Sequence, residues 1–178
     1  MTRDPIERIA DAAERIAAAL DALARSSQDS EPRPRLSIAR SPTDHSELGA
    51  VNLSDDGRLN AILQNTGDIG TTLIEPTVEI GSVTARGTIV VQGGTTQPSG
   101  TIPASKNGPG VALVFQLEPS AVILLDDRPL ILRVPHRPGR YPGTTVLEVE
   151  MSPMGYVGGR LGWRLTDSRE VPHRDAHA

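Results

Sequence analysis

His173 and His177 stand four apart with Asp175 between them. On a helix that spacing brings two imidazoles and a carboxylate within reach of one divalent ion. No third ligand lies nearby in the sequence, so the preferred reading is a charged polar tail. Asp44, His45 and Ser46 offer an acid, a base and a hydroxyl as immediate neighbours. A nucleophilic triad is assembled across a fold, so adjacency along the chain does not indicate one. Asp55, Asp56 and Asp68 fall in turn sequences, with Asp126 and Asp127 as a further pair. Converging at one end of a β domain, such carboxylates would suit calcium. Their spacing matches no calcium loop, however, and aspartate is a good turn residue in its own right. Arg137 and Arg140, with Arg133 upstream, form a local basic cluster that reads as a solvated loop or a contact for an acidic partner. His136 completes the histidines. There is no Gly-rich phosphate motif, nucleophile elbow or pair of catalytic carboxylates. The expectation is a protein that is not an enzyme and has no catalytic, cofactor-binding or metal-ligating residues.

Composition narrows the class further. The 178 residues carry a net charge of −4, which argues against nucleic acid because phosphate binding needs a concentrated basic face. Phe115, Trp163, Tyr141 and Tyr156 are the only aromatics, so the core must be built from Val, Ile and Leu. That suits strands better than a ligand pocket lined with rings. The absence of cysteine excludes disulfides, thiolate catalysis and Cys-ligated zinc. The N-terminus shows neither a signal-peptide apolar block nor a membrane-spanning run. Synthesis in the cytoplasm is therefore expected, with a virion or other assembly as the final setting.

The elements that would carry function are of two kinds. Ile6, Ile9, Ala13, Ile16, Leu20 and Leu23 recur at spacings of three and four, the seam of a helix over residues 1–25. Asp4 suits the cap, Pro5 the first helical position, and Glu7 the positive end of the helix dipole. Alanines at 10, 12, 17, 19 and 24 flank the seam where dimeric coiled coils carry charges. The widened apolar face favours trimers, higher bundles or packing on a sheet. Such a helix is marginal alone in water and requires a partner. Its acidic and basic residues balance, unlike those of a membrane-surface helix. Residues 26–35 read as a polar Ser/Pro tether.

From residue 36 to 166 the pattern changes to period two. Leu59, Ala61 and Leu63 form one inward set, and Val111, Leu113, Phe115 and Leu117 another. Leu130, Leu132 and Val134 form a third, followed by Leu147, Val149 and Met151, then Leu161, Trp163 and Leu165. Ile74, Val78 and Ile80 alternate around Pro76, which predicts an edge or bulge. Thr88 to Gln92 and Ala121 to Leu125 are near-continuous apolar runs, as in central strands. Asp55-Asp56-Gly57, Asn65-Thr66-Gly67 and Asn107-Gly108-Pro109 read as turns, Gly93 to Gly110 as a long loop, and residues 167–178 as a polar tail. About eight or nine strands at this spacing predict an antiparallel β-sandwich behind one amphipathic helix.

The stretch Leu59 to Ile80, with its Asn-x-Gly turn between two apolar strands, resembles the opening hairpin of Ig-like modules of the CARDB kind. Arg137 to Gly143 ahead of Thr144 to Met151 extends the resemblance across roughly residues 55–165. The family implies a non-catalytic Ig-like sandwich used for adhesion, spacing or assembly, with Tyr141 in a tyrosine-corner role. It has no catalytic residues to carry over. The heptad helix and the absence of an export signal depart from it and move the expectation toward assembly. The leading expectation is thus a structural protein, a β-sandwich displayed on an oligomerising or anchoring helix. It would form a homo-oligomer, trimeric or higher, or join a larger protein assembly such as the decoration, turret or fibre of a virion. Neither nucleic acid nor membrane is expected as a partner. The alternative is an adhesion-type module that binds protein or glycan through its loops.

Overall fold

The computed structural model describes residues 14–20, 32–39, 51–90, 94–105, 110–118, 125, 128–139, 143–157 and 160–172. It divides into two units, Met1–Pro32 and Arg33–Ala178. In the first, residues 14–20 form a helix, α1. The second is built of antiparallel strands: β1 (Leu36–Ala39), β2 (Val51–Leu53), β3 (Arg58–Asn65), β4 (Thr71–Leu73), β5 (Thr77–Ile80) and β6 (Val83–Val90), followed by β7 (Thr96–Gln97), β8 (Gly100–Ile102), β9 (Val111–Gln116), β10 (Leu130–Pro138), β11 (Thr145–Val157) and β12 (Arg160–Pro172).

The mainly β, antiparallel expectation holds, but the architecture is a closed barrel. Hydrogen bonding runs β11–β12–β2–β3–β9–β6–β5–β10, and β10 then pairs back with β11. The expected two-sheet Ig-like sandwich is corrected on this point. A sandwich keeps two separate sheets, whereas here β12 pairs β2 and β10 pairs both β5 and β11, leaving one continuous ring of eight strands. Around the ring lie β1 beside β3, β7 beside β6, and β4 with β8 beside β10.

Alternation decides which residues fill the ring. Leu59, Ala61 and Leu63 on β3 are buried, as are Leu113 and Phe115 on β9, Leu130, Leu132 and Val134 on β10, and Leu147, Val149 and Met151 on β11. Trp163 and Phe115 are the largest side chains inside. The Trp163 indole N–H donates to the Arg128 carbonyl at 2.9 Å, so its one polar atom is satisfied. Gly87 faces Phe115 directly across the β6–β9 ladder. A Cβ there would come within 2.4 Å of the phenyl ring, so only glycine admits the ring at this point of the wall.

Several local readings are refined. The alternation around Pro76 is divided between β4 and β5, which both lie along β10 with residues 74–76 as an interruption between them. The run at Thr88 belongs to a longer β6 that starts at Val83. The stretch Gly93–Gly110 contains the short strands β7 and β8. The polar stretch read as a tail from Asp167 is strand as far as Pro172, paired with Thr145–Glu150 of β11. Of the strand expected at Ala121–Leu125, Leu125 is buried and the rest lies outside the described residues, as do Asn107 to Pro109.

The sheet has two irregularities. Ala39 of β1 pairs with Ile62, and Val51 of β2 pairs with Ala61, the very next position of β3. The two short strands therefore occupy one strand line, although residues 40–50 lie between them in the chain. On β12 a bulge falls between the pairs Glu150–Asp167 and Met151–Leu165. It flips the alternation, so that Ser168 and Glu170 share the face of Val149 and Leu147.

Candidate functional site

Of the helix seam, Ile16 and Leu20 are four apart and so on one face, and each is 61 % exposed. The other seam positions, Ile6, Ile9, Ala13 and Leu23, lie outside the described residues.

On the barrel, the outward side chains differ from one wall to the other. Across β1, β3, β9 and β6 the register aligns Ala39, Ile62, Ala112 and Val90 in one row. The next row, from β2 to β6, is Asn52, Asn60, Val114 and Thr88. None of the eight is charged. The opposite wall sets Glu79, Ile131, Glu150 and Asp167 in one row and Thr77, Arg133, Glu148 and Arg169 in the other. There Arg133 donates to Glu79 and to Glu148, both at 2.9 Å. Arg169 donates to the other oxygen of Glu148 and reaches Glu150 at 3.4 Å. The hydrogen bonds from Arg169 and then Arg133 hold the Glu148 carboxyl below the ordinary carboxylate range. Arg133 is raised in turn, first by its bond to Glu79.

One end of the interior is polar. His136 continues the inward row Leu130–Leu132–Val134 and is 1 % exposed. Its Nδ1 lies 3.2 Å from the Thr71 hydroxyl, also buried. Its Nε2 has no hydrogen-bond partner, and the nearest carboxylate oxygen is that of Glu170, at 3.8 Å. Burial pushes the imidazole below its ordinary value. Burial also raises Glu170, partly opposed by the positive charge of Arg33. A hydroxyl, an imidazole and a carboxylate in a row have the makings of acyl-transfer chemistry. Here the hydroxyl and the imidazole are both buried, while the Glu170 carboxylate lies 3.8 Å from Nε2. Asn65, also buried, is held by three hydrogen bonds. Its carbonyl accepts from Gly67 and Arg35 backbone N–H groups, and its amide donates to Ile69, which closes the turn read from Asn65-Thr66-Gly67.

The other chemistry-bearing residues are not brought together. Asp55 and Asp56 precede β3 and Asp68 follows it, so the strand's eight residues separate them by more than about 20 Å. The calcium arrangement is excluded for these three. Asp56 accepts from the Ser54 hydroxyl and the Arg58 amide, a turn role, and the Ser54 bond is the main reason that its carboxyl is lowered. Among the described residues no three His, Asp or Glu side chains are placed to share a metal ion. Of the basic cluster, Arg133 is held by two glutamates and Arg137 is exposed at the far end of β10. Arg140, Tyr141, the Asp44-His45-Ser46 triplet, Asp126, Asp127 and the His173–His177 pair lie outside the described residues. No described helix is long and apolar enough to cross a membrane. Comparison with protein-family models, with curated proteins and with solved structures finds no match for the chain.

Proposed function

We propose that this chain is a non-enzymatic assembly protein, a β-barrel carried on an N-terminal helix whose apolar seam is covered by further copies. The observation that supports this reading is the exposure of Ile16 and Leu20 on one face of α1. Burying such a side chain stabilises an association by about 1.5–3 kcal/mol, so leaving both in water is unfavourable. The flanking Ala17 and Ala19 let neighbouring helices approach closely, which favours three or more strands over two. The barrel interior, filled by Trp163, Phe115 and aliphatic side chains, suits a display platform. The setting we assign is a repeating particle surface, as a decoration, turret or fibre component. Light scattering of the full chain should give a discrete oligomer that Ile16→Asp dissociates. A monomer at tens of micromolar whose mass Ile16→Asp leaves unchanged would end this reading.

A second reading is favoured by the far end of the β11–β12 hairpin, where Tyr156 is 53 % and Met154 36 % exposed. Exposed aromatic and methionine side chains are enriched at protein interfaces, so this end suits a binding module acting through its loops. Retention on a protein or glycan ligand that is lost in Tyr156→Ser and kept in Ile16→Asp would move the weight to it.

A further inference from the structure

Nε2 of His136 is an exception in this interior. The side chain is 1 % exposed, and this nitrogen has no hydrogen-bond partner among the described residues. Buried polar atoms are normally paired, so an orphan of this kind points to a partner of another sort. The bulge on β12 supplies a second, independent observation. By shifting the alternation it turns Glu170 to the inward face, and the carboxylate then lies 3.8 Å from Nε2. We infer that His136 and Glu170 are the fixed ligands of a divalent ion of the zinc class, and that the His173–His177 pair completes its coordination.

The spacing favours an ion over a direct bond. A hydrogen bond between these two atoms would measure about 2.7–3.2 Å. Two ligand atoms on one zinc, each about 2.0–2.2 Å from the metal at a tetrahedral angle, stand about 3.4 Å apart. The observed 3.8 Å is closer to the second arrangement, and the Glu170 side chain, 44 % exposed, has the freedom to close the remainder. The other ring nitrogen is placed as in metal-binding histidines. With the Nδ1 hydrogen donated to the Thr71 hydroxyl, at 3.2 Å, the imidazole is held in the tautomer that leaves a lone pair on Nε2. One imidazole nitrogen and one carboxylate oxygen suit zinc and its first-row neighbours, whereas calcium and magnesium take oxygen donors. The charge of Arg33 acts on the same carboxylate, so ion and guanidinium compete and binding is weaker than at a closed structural site.

Two ligands are too few, since zinc sites take three or four from the protein. Chain continuity indicates where the others come from. His136, Thr145 and Pro172 form one row across β10, β11 and β12, which sets Pro172 two strand spacings, about 10 Å, from His136. His173 is the next residue, and His177 follows within about 17 Å of extended chain. Along the sequence this pair lacks a third ligand. The ladders bring two to its root.

The test is calorimetric titration of zinc chloride into the full chain, prepared without a histidine tag, with circular dichroism checking the fold of each variant. One zinc per chain should bind, and calcium chloride should give no comparable heat. His136→Gln should abolish binding. Glu170→Gln and the double variant His173→Gln/His177→Gln should each weaken it at least about tenfold. Because His136 is buried, Glu170→Gln, at a half-exposed group, decides the matter if the histidine variant does not fold. Binding left at full strength by Glu170→Gln would place the ion elsewhere and overturn the inference. Binding left at full strength by the double variant would overturn the tail's share in it. No heat of binding from the folded wild-type chain would leave Nε2 to a buried water and overturn the whole. Each of these failures leaves the helix reading standing, since that reading is tested by mass.

Discussion

The two walls of the barrel share one construction and differ only in what they show to solvent. Inside, β3 and β9 contribute Leu59, Leu63, Leu113 and Phe115, and β10 and β11 contribute Leu130, Leu132, Leu147 and Val149, all buried. Outside, one wall carries aliphatic side chains and amides in two rows with Arg58, Gln116 and Arg86 in the row beyond, and the other carries a cross-strand ladder of glutamates and arginines. The inner surface is dictated by closure, because every strand must send its alternate residues to a common core. The outer surface is free of that requirement, so the two walls can differ there. An ion-pair ladder keeps an exposed wall soluble and specifies its strand register.

The comparison predicts first that inner deletions are costly whichever wall they come from. Phe115→Ala on the β3–β9 wall should destabilise by about 3–5 kcal/mol and Leu147→Ala on the charged wall by about 2–5 kcal/mol, measured by denaturant unfolding. A cost below about 1 kcal/mol for either would mean that the interior is not packed as described. Outward changes should separate the walls. Glu148→Gln removes the carboxylate shared by two arginines and should cost about 1 kcal/mol, discounted for its partly exposed partners and shrinking in molar salt. On the other wall, Val114→Thr should change stability by less than about 0.5 kcal/mol and show no salt dependence.

Acid should distinguish the polar interior from the charged exterior. Glu148 has a folded-state value below its ordinary one, so its contribution is complete above about pH 4.5 and is lost as pH falls through the lowered value. His136 is lowered by burial, so below about pH 6.5 the unfolded chain takes up a proton that the folded one resists, and stability falls on acidification. Glu170 is raised and works in the opposite sense, losing stability as pH rises from about 4.5 through the raised value. A thermal midpoint profile should therefore show an upper step removed by His136→Gln and a lower one removed by Glu148→Gln. A single step that both variants leave in place would contradict the assignment.

Much of the interior could be read from alternation, because burial repeats every second residue on β3, β9, β10 and β11. The same rule extended by one step beyond Val134 reaches His136, so the signal for that buried imidazole was present. Leu165 shows where the rule stops. It was grouped with Leu161 and Trp163, yet it is 48 % exposed, just before the β12 bulge at which the alternation changes phase. Closure of the ring was not legible either. Whether β10 pairs back with β11 and β12 with β2 is a choice among partners, and alternation is identical in a sandwich and in a barrel. The contrast between walls needed the registers, since Ile62, Ala112 and Val90 are far apart in the chain and meet only across the ladders.

The shared line of β1 and β2 has a consequence for engineering the molecule. Ala39 and Val51 face successive positions of β3, so β1 and β2 continue one line although residues 40–50 separate them in the chain. Segment length between those two residues is uncoupled from strand register, as it is at a hairpin tip, although the point lies in the middle of a strand line. The barrel thus has a splice point in its side. Lengthening or shortening the segment would leave the pairing partners of every strand the same.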